Sequence, residues 1–360
     1  MFENPKLTVV SNEVAQGEIT WRSPSNLALI KYWGKYGVQM PRNPSISFTL
    51  EHAFSDTTLT YIPRTDISNE ISLKCYFHGE FDQKLTEKLT KYFSQLTPYF
   101  PFITQFDFEI DTLNTFPKSA GIASSASGMS AIALCLCSME DALFHTLGDD
   151  TTFDQKASYI ARLGSGSACR SIYPKAALWG ETSEIPHSSD YYAISCEEYL
   201  HPIYQHFHND ILIVSSDEKN VSSSAGHALM DGNVYANDRY QQARQRLFQL
   251  MPALKNGDLE TFGRIIEDEA LTLHALMMAS NPSYLLLKPN SVAIIQKIRA
   301  FREEQKLPLY FSIDAGPNIH LLYPNDIMDK AYTFITQELA PLCENQLIIN
   351  DNIGDGPEEI

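Results

Sequence analysis

The chain lacks the two most widespread glycine-rich signatures of nucleotide binding. Its 360 residues contain no Gly-x-x-x-x-Gly-Lys-Ser/Thr motif, and no Gly-x-Gly-x-x-Gly follows a strand-like segment. These absences exclude the common P-loop and the dinucleotide-binding fingerprint. A nucleotide, if the protein binds one, must therefore be held by another kind of loop.

Cysteine is scarce, and its spacing fits neither a redox motif nor a zinc motif. The six cysteines include no Cys-x-x-Cys pair, and Cys135 and Cys137 lie in an apolar segment. Such isolated cysteines are typical of buried, reduced thiols. We therefore expect a cytoplasmic protein whose cysteines are core residues.

One short segment is nevertheless rich in side chains that can bind a metal. It contains His187, Cys196, His201, His206 and His208. Their spacings fit no standard zinc pattern, so the sequence does not favour a metal site there. The role of residues 187–208 stays open at the level of sequence.

Positive charge is in short supply. The chain has 27 lysines and arginines against 44 aspartates and glutamates, which gives a net charge of −17. This balance opposes nucleic acid or an anionic membrane as a partner. We see no signal peptide and expect no apolar stretch long enough to span a bilayer. If the substrate is a polyanion, the few cations must be concentrated around it.

The most informative feature present is a run of small and hydroxylated residues, 114–128, that leads into the apolar segment 129–143. Gly121 can adopt backbone conformations closed to other residues, and serines at a helix N-terminus offer amides and hydroxyls to an anion. Taken alone, the run fits a serine-rich cap on a core helix equally well. Its form, Pro-x-x-x-Gly-Ile-x-Ser-Ser, resembles the phosphate-binding signature of the GHMP kinases.

Three further motifs stand at residues 23–50, 161–171 and 314–318. The first is an apolar strand that ends in a polar cluster with Lys31. The second is a helix that a glycine ends, followed by a turn whose amides can form an anion nest and by Arg170, which can clamp a carboxylate. The third places Asp314 between an apolar strand and a Gly-Pro turn. Each has an ordinary alternative: surface lysines beside a packed tryptophan, a solvated arginine, and a carboxylate that caps a turn.

Together the four motifs closely resemble the diphosphomevalonate decarboxylase family of the GHMP kinase superfamily, in the same order and over residues 20–322. The resemblance implies a two-domain α+β fold, with an N-terminal ribosomal S5 domain 2-like lobe, a C-terminal ferredoxin-like lobe and the active site in the cleft between them. It further implies ATP-dependent decarboxylation of mevalonate 5-diphosphate to isopentenyl diphosphate, with Mg²⁺ as cofactor, a phosphorylated mevalonate as substrate, and a homodimer.

The resemblance also implies roles for individual residues. Asp314 would orient and deprotonate the tertiary hydroxyl as it attacks the terminal phosphate of ATP, Lys31 would hold that carboxylate ionised, and Arg170 would hold the substrate carboxylate. Substrate binding is implied for Asn26, Tyr32, Lys35, Ser165, Ser167, Ser222 and Ser223. ATP binding is implied for Pro117, Gly121, Ser124, Ser125 and Ser127, with Ser124 or Ser125 as a ligand of Mg²⁺.

One stretch departs from the family pattern. Where the family has a Gly-Met pair followed by further hydroxyl residues, this chain has Gly226 and His227, and the hydroxyls are missing. Because the turn lies near the phosphate end of the substrate in the family, a 5-monophosphate or a 3,5-bisphosphate stays possible as substrate. His227 itself fits phosphate contact or packing against its own turn.

Three activities therefore stay open. The chain could be a decarboxylase of a phosphorylated mevalonate, a GHMP small-molecule kinase that does not decarboxylate, or a relative that only binds ligand. Lys31, Arg170 and Asp314 together favour the first, because a kinase has less need of a carboxylate clamp and a binding protein needs no base.

The periodicity of apolar residues predicts where the chain divides. A boundary between residues 183 and 209 gives two domains, 1–195 and 196–360. Apolar patterning predicts helices over 236–250, 258–279, 291–304 and 327–339, and strands over 210–215, 309–313, 319–323 and 346–350. The acidic tail, 351–360, is expected to be frayed.

Overall fold

The computed structural model describes residues 1–10, 14–65, 68–117, 122–217 and 223–360, with the side chains of residues 223 and 224 left aside. Gly121, Ser222 and the side chain of Ser223, which the sequence predicts to bind ATP or substrate, lie outside the described part of the chain.

The described residues form two large sheets and a two-stranded sheet of β2 (Lys35–Tyr36) and β3 (Met40–Pro41). The strands are β1 Gly17–Ala28, β2 Lys35–Tyr36, β3 Met40–Pro41, β4 Ser45–Pro63, β5 Ser72–Phe77, β6 Glu80–Phe81, β7 Phe106–Asn114, β8 Ala176–Trp179, β9 Ala193–Ser195, β10 Phe207–Leu212, β11 Tyr310–Ser312, β12 Ile319–Pro324, β13 Ile348–Ile349 and β14 Glu358–Glu359. The helices are α1 Gln83–Leu96, α2 Ser124–Phe144, α3 Asp150–Gly164, α4 Ser223–Ala228, α5 Ala236–Asn256, α6 Leu259–Met278, α7 Pro289–Gln305 and α8 Met328–Phe334.

The first lobe is a mostly antiparallel sheet that packs against helices. Its strands join in the order β14-β1-β4-β7-β5-β6, and β8 joins both β4 and β9. In the second half of β4, buried residues alternate with more exposed ones, because successive side chains of a strand point to opposite faces. The helices α1, α2 and α3 belong to this lobe, and α2 packs against β1 and α3.

Helix α2 is the apolar core helix that the sequence predicts, but one expectation about it is wrong. By length and composition α2 is apolar enough to cross a membrane, so the chain does contain a stretch of that kind. In the fold, 67% of its most apolar window is buried. The helix is therefore covered by protein, as a core helix is.

The second lobe carries the smaller of the two large sheets, in the order β11-β12-β10-β13, and the helices from α4 onward. Helix α6 reproduces the predicted helix 258–279 within a residue at each end. The buried face of α6 carries the apolar residues whose helical spacing predicts that helix, such as Phe262, Ile265 and Ile266. The predicted hairpin around Asp314 is the antiparallel pair β11 and β12. The two-lobed α+β architecture expected from the sequence is confirmed.

An aromatic cluster joins the two lobes. Phe48 of β4 lies 5.7 Å from Tyr204, 6.4 Å from Phe207 and 5.9 Å from Phe262, measured between ring centroids. All four side chains are fully buried. Because close-packed interiors resist displacement, this shared core fixes how the lobes face each other across the cleft.

The acidic tail is ordered, contrary to the sequence expectation. The carboxylate of Asp351 accepts hydrogen bonds at 2.8 Å from the backbone N–H groups of Glu51, His52 and Ala53. Further along, β14 pairs with β1 at the edge of the large sheet. The prediction was wrong because charge and terminal position carry no information about distant backbone donors, which here belong to the first lobe.

The cysteine prediction is confirmed. All six cysteines are free and buried. Burial raises the pKa of each thiol, for example to about 12 for Cys75 and to about 11 for Cys343, because a thiolate is poorly solvated in the protein interior.

Candidate functional site

A cleft between the lobes brings the sequence motifs together. It encloses about 1030 Å³, open solvent at its mouth included. Its walls come from the end of β1 and the segment after it, the start of α2, the turn between α3 and the following 3₁₀ helix Gly166–Ile172, and the segment after β11. The predicted site residues that line it are Asn26, Lys31, Tyr32, Lys35, Ser125, Ser165, Ser167, Arg170 and Asp314.

The cleft concentrates positive charge. Its lining includes four cations, which are Lys31, Lys35, Lys88 and Arg170, and one carboxylate, Asp314. The chain as a whole carries a charge of −17, so this local excess is opposite in sign to the rest of the protein. A cleft lined by one sign of charge attracts ligands of the other sign. The site is therefore suited to a polyanion.

Lys31 and Asp314 form an ion pair at the bottom of the cleft. Nζ of Lys31 lies 2.7 Å from Oδ1 of Asp314 and donates a second hydrogen bond, at 3.0 Å, to the hydroxyl of Ser312. The side chain of Lys31 is only 2% exposed, whereas that of Asp314 is 22% exposed. The lysine therefore supports the carboxylate from behind, and the carboxylate is the member that a bound molecule can reach.

Arg170 is a buried cation with an unused donor. Its Nε donates to the hydroxyl of Ser47 at 3.0 Å, and its Nη2 donates to the side-chain oxygen of Asn26 at 3.2 Å. Within the described residues, Nη1 is buried and has no hydrogen-bond partner. Burial lowers the pKa of Arg170, because desolvation disfavours the charged form. No carboxylate of the described residues lies within salt-bridge distance of this buried guanidinium, which is therefore suited to an anionic group of a ligand.

Asn26 is oriented for this task by the neighbouring turn. Its side-chain nitrogen donates to the hydroxyl of Ser171 at 2.8 Å and to the carbonyl oxygen of Ser167 at 3.2 Å. With the nitrogen committed there, the amide oxygen faces Arg170. The sequence predicts Asn26 as a substrate ligand, and in the structure it also holds the arginine.

Two predicted ligands follow the strand end. The hydroxyl of Tyr32 is buried and, among the residues described, has no hydrogen-bond partner, while its ring packs 4.7 Å from that of Trp179. Burial raises the pKa of Tyr32, so the phenol stays protonated and can donate. Lys35 donates to the side-chain oxygen of Gln39 at 3.1 Å, and burial lowers its pKa.

The start of α2 supplies a second kind of anion site. Ala123, which precedes the helix, has a left-handed backbone with φ 42°, and no side chain among the described residues caps the first turn. A non-glycine residue in that conformation is strained, as is common at functional sites. The N–H of Ala126 donates to the carbonyl oxygen of Ala123 at 2.6 Å, and the N–H groups ahead of it at the helix start are the ones suited to a ligand such as phosphate. Ser125 is exposed at this point, and its hydroxyl lies 3.2 Å from that of Ser165.

Three residues of the predicted ATP loop do not line the cleft. The hydroxyl of Ser127 is fully buried and lies 2.6 Å from that of Ser55 on β4, so the predicted phosphate contact through this side chain is corrected. The physical reason is helical phase, since a residue in the first turn of α2 can face either the cleft or the sheet. Ser124 is half-buried and Pro117 follows β7, and neither is part of the lining.

His227 occupies a packed position at the cleft. Its Nδ1 accepts a hydrogen bond from the backbone N–H of Gly34 at 3.0 Å, and its ring lies 4.3 Å from Tyr32 and 4.7 Å from Trp33. Burial, with a smaller effect from Lys35, lowers the pKa of His227 to about 3. The imidazole is therefore neutral at ordinary pH, and it both packs beside the turn and lines the cleft.

Several lining and supporting residues were missed by the sequence reasoning. Lys88 reaches the cleft from α1, and burial lowers its pKa. Its helix shows no motif, so only the placement of α1 could identify it. Ser47 lies within the motif 23–50, and Ser312 lies just before the motif 314–318. The sequence signal that could have identified these two serines is their alternation with apolar residues along a strand.

The residues that line the cleft include groups that suit ATP with Mg²⁺. Among the described residues no three histidine, cysteine, aspartate or glutamate side chains come together as a metal centre. Mg²⁺ in proteins is often bound through substrate phosphates, one or two protein oxygens and water. The hydroxyl oxygen of Ser125 is a suitable protein ligand for Mg²⁺, and the N–H groups at the start of α2 would hold phosphate oxygens of ATP. In the histidine-rich segment, His201 caps a 3₁₀ helix and His208 contacts Asn325 at 3.0 Å.

Two protein-family models match the chain. The model of the diphosphomevalonate decarboxylase-like N-terminal domain matches residues 23–193, and that of the mevalonate 5-diphosphate decarboxylase C-terminal domain matches residues 210–357. The chain is 26% identical over 363 residues to the diphosphomevalonate decarboxylase of Candida albicans. The aligned region covers 94% of this chain and 96% of that relative.

Solved structures give the same result. The crystal structure of mevalonate diphosphate decarboxylase from Staphylococcus aureus has a TM-score of 0.81 and 28% identity, with 96% of this chain and 98% of that one covered. MDDEF in complex with MVAPP, AMPPCP and magnesium has a TM-score of 0.78 and 26% identity, with 96% and 99% covered.

Proposed function

The chain belongs to the diphosphomevalonate decarboxylase family, and we propose that it decarboxylates mevalonate 5-diphosphate to isopentenyl diphosphate, with conversion of ATP to ADP and phosphate and release of carbon dioxide. Its GHMP kinase-like two-domain fold is that of the family. The observation that carries the proposal is the arrangement of the cleft, where the Lys31–Asp314 pair and Arg170, whose Nη1 has no partner in the described part of the chain, line one space.

Phosphoryl transfer is the first step. The tertiary hydroxyl oxygen of the substrate attacks the γ-phosphorus of ATP, the bond to the β-phosphate oxygen breaks, and the proton passes to the carboxylate of Asp314. Lys31 keeps that carboxylate in place through its 2.7 Å contact. The start of α2 holds phosphate oxygens through its free amides, and Ser125 adds a hydroxyl. Bound Mg²⁺ would neutralise charge on the transferred phosphate.

Decarboxylation follows from the same bound geometry. The bond between the tertiary carbon and its new phosphate breaks and the phosphate leaves with the electron pair. The bond between the carboxylate carbon and its neighbour then supplies the pair that forms the double bond, and carbon dioxide departs. We propose that Arg170 holds the carboxylate during both steps, and the support for this role is that its Nη1 is buried and lacks a partner among the described residues. Such holding lowers the barrier through orientation.

We propose that the phosphate end of the substrate binds to one wall of the cleft. This wall is formed by the segment after β1 and the turn after α3, and it offers a cation and several hydroxyls. Tyr32, Lys35, Ser165 and Ser167 line this wall. The nearby His227 is neutral and adds no charge. We propose that this wall selects the number of phosphates on the substrate.

The test is a product assay on the pure protein. With ATP and Mg²⁺, it is incubated in turn with mevalonate, its 5-phosphate and its 5-diphosphate, and carbon dioxide and ADP are followed separately. We expect equal amounts of both products from the 5-diphosphate. ADP without carbon dioxide would assign the chain to the small-molecule kinases, and products from the 5-phosphate alone would change the substrate.

We further propose that the protein is cytoplasmic, that it forms a homodimer, and that its two domains span residues 1–195 and 196–360. The six buried free thiols are what a reducing compartment maintains. Exposed apolar side chains on the second lobe, among them Val234, Phe248 and Leu285, offer surface for a second copy. The segment between β9 and β10, built of short 3₁₀ helices, supports a division near residue 195. Sedimentation equilibrium of the pure protein measures the assembly.

A further inference from the structure

The backbone of Lys31 is held by the second lobe at both its N–H and its carbonyl oxygen. The N–H of Lys31 donates to Oε2 of Glu269 at 2.8 Å, and Nη2 of Arg239 donates to the carbonyl oxygen of Lys31 at 3.3 Å. Glu269 lies on α6 and Arg239 on α5, and both are buried. Two side chains from the second lobe thus grip the backbone of a residue that belongs to the first.

These two residues are themselves locked together. Both terminal nitrogens of Arg239 bind Glu269, at 2.8 Å and 2.6 Å, in a two-pronged pair. Arg246 donates to the same carboxylate at 2.7 Å but is not hydrogen-bonded to Lys31. Burial by itself would raise the pKa of Glu269, but Arg239 and then Arg246 outweigh burial and lower it. The carboxylate is therefore charged and fixed in orientation.

Such a buried ionic network is expensive for folding. Desolvation of buried ions costs several kcal/mol for each, and apolar replacements are often as stable or more stable. Stability alone is therefore a weak reason for this network. It differs from the buried pair of Lys156 and Glu140 because Arg239 and Glu269 contact the backbone of a residue that lines the cleft.

We propose that Arg239 and Glu269 are positioning residues that set where the amino group of Lys31 meets Asp314. The inference rests on the proposed function, in which that pair serves phosphoryl transfer. A fixed peptide defines where the Lys31 side chain begins, and the contacts of Nζ with Ser312 and Asp314 define where it ends. Loss of the grip leaves the charges present but misaligned, and misplacement of about 1 Å can cost about a hundredfold in rate.

The experiment compares conservative variants of the same network. Arg239→Lys keeps the charge but cannot span Glu269 and the Lys31 carbonyl together. Glu269→Asp keeps the charge but shortens the reach to the Lys31 N–H. Arg246→Lys is the matched control, because it alters the same carboxylate without a bond to Lys31. For each variant, kcat and KM for ATP and for mevalonate 5-diphosphate are measured beside a melting curve.

We expect Arg239→Lys and Glu269→Asp to lower kcat about 10- to 100-fold, with KM for ATP within about twofold of the wild-type value. Arg246→Lys should keep the wild-type kcat although its melting temperature falls about as much as that of the two test variants. In a Lys31→Met background the further loss on Arg239→Lys should vanish, because both changes act through one group. Three results would overturn the inference. The first is an equal loss of kcat in all three variants, the second is additive losses in the Lys31→Met background, and the third is melting of both test variants below the assay temperature. A wild-type protein that releases no carbon dioxide would instead overturn the proposed function.

Discussion

Lys31 and Asp314 are 283 positions apart in the sequence, and their side chains meet at 2.7 Å across the two lobes. Both residues are held by helix α6: the backbone N–H of Lys31 donates to Glu269, and the backbone carbonyl of Asp314 lies 3.1 Å from the ring of His274. The pair therefore depends on the docking of the lobes.

Asp314→Asn should abolish most of the activity. The amide keeps the shape of the side chain but cannot accept the hydroxyl proton, and loss of a general base costs about 10²- to 10⁴-fold in rate. ATP affinity should barely change, because the substitution leaves the start of α2 intact. Single-turnover kinetics with nucleotide titration measure both quantities. Near-normal turnover would remove Asp314 from the mechanism.

Arg170→Lys should reduce carbon dioxide release while the protein still binds ATP. Lysine retains the charge but loses the planar fork that contacts Ser47 and Asn26 in addition to the ligand. Charged hydrogen bonds contribute about 1.5–3 kcal/mol each, so one lost contact corresponds to about a 10- to 100-fold effect. Product formation at saturating ATP is measured beside a melting curve. Full activity would show that the carboxylate is held elsewhere.

Ser125→Leu should weaken nucleotide binding. Ser125 is exposed where the first turn of α2 meets the cleft, so a bulky side chain there would block phosphates from the free amides. We expect at least about a tenfold rise in the dissociation constant for ATP with Mg²⁺, equivalent to about 1.4 kcal/mol. Calorimetric titration measures it, with Ser94→Leu, an exposed serine on α1, as control. If affinity is unchanged, the run before α2 is only a helix cap.

Stability should fall in mild acid because of two buried histidines. Burial lowers the pKa of His227 to about 3 and that of His320 to about 4, from an unfolded value near 6.5. Their neutral forms contribute full stability above about pH 6.5, and that contribution is lost as the pH falls toward the folded values. Between these limits the unfolded chain binds more protons, so each histidine lowers the free energy of unfolding by about 1.4 kcal/mol per pH unit.

Urea unfolding of wild type, His227→Gln and His320→Gln between pH 7 and pH 5 checks this pH dependence. Each glutamine variant should show a flatter decline than wild type, whatever its stability at pH 7. His52→Gln, at an exposed position, is the control. If the free energy of unfolding falls in parallel with pH for wild type, His227→Gln and His320→Gln, neither buried histidine is responsible.

The sequence by itself determined the local chemistry. The strand before Lys31, the turn before Arg170 and the hairpin at Asp314 each have a pattern of apolar and turn-forming residues within a dozen positions, and the structure has these elements where the patterns predict them. The helix 258–279 was equally readable, because a buried stripe at helical spacing is a local property. Their order along the chain was enough to recognise the family.

Tertiary structure decided which side chains share a space. Only packing turns Ser127 toward Ser55, brings Lys88 of α1 to the cleft, and places Glu269 against the peptide of Lys31, which is 238 positions away. It also orders the acidic tail, because the donors that Asp351 needs belong to β4. Helical phase and hydrogen bonds between distant residues depend on how elements dock, and a sequence pattern within one element carries no record of its neighbour.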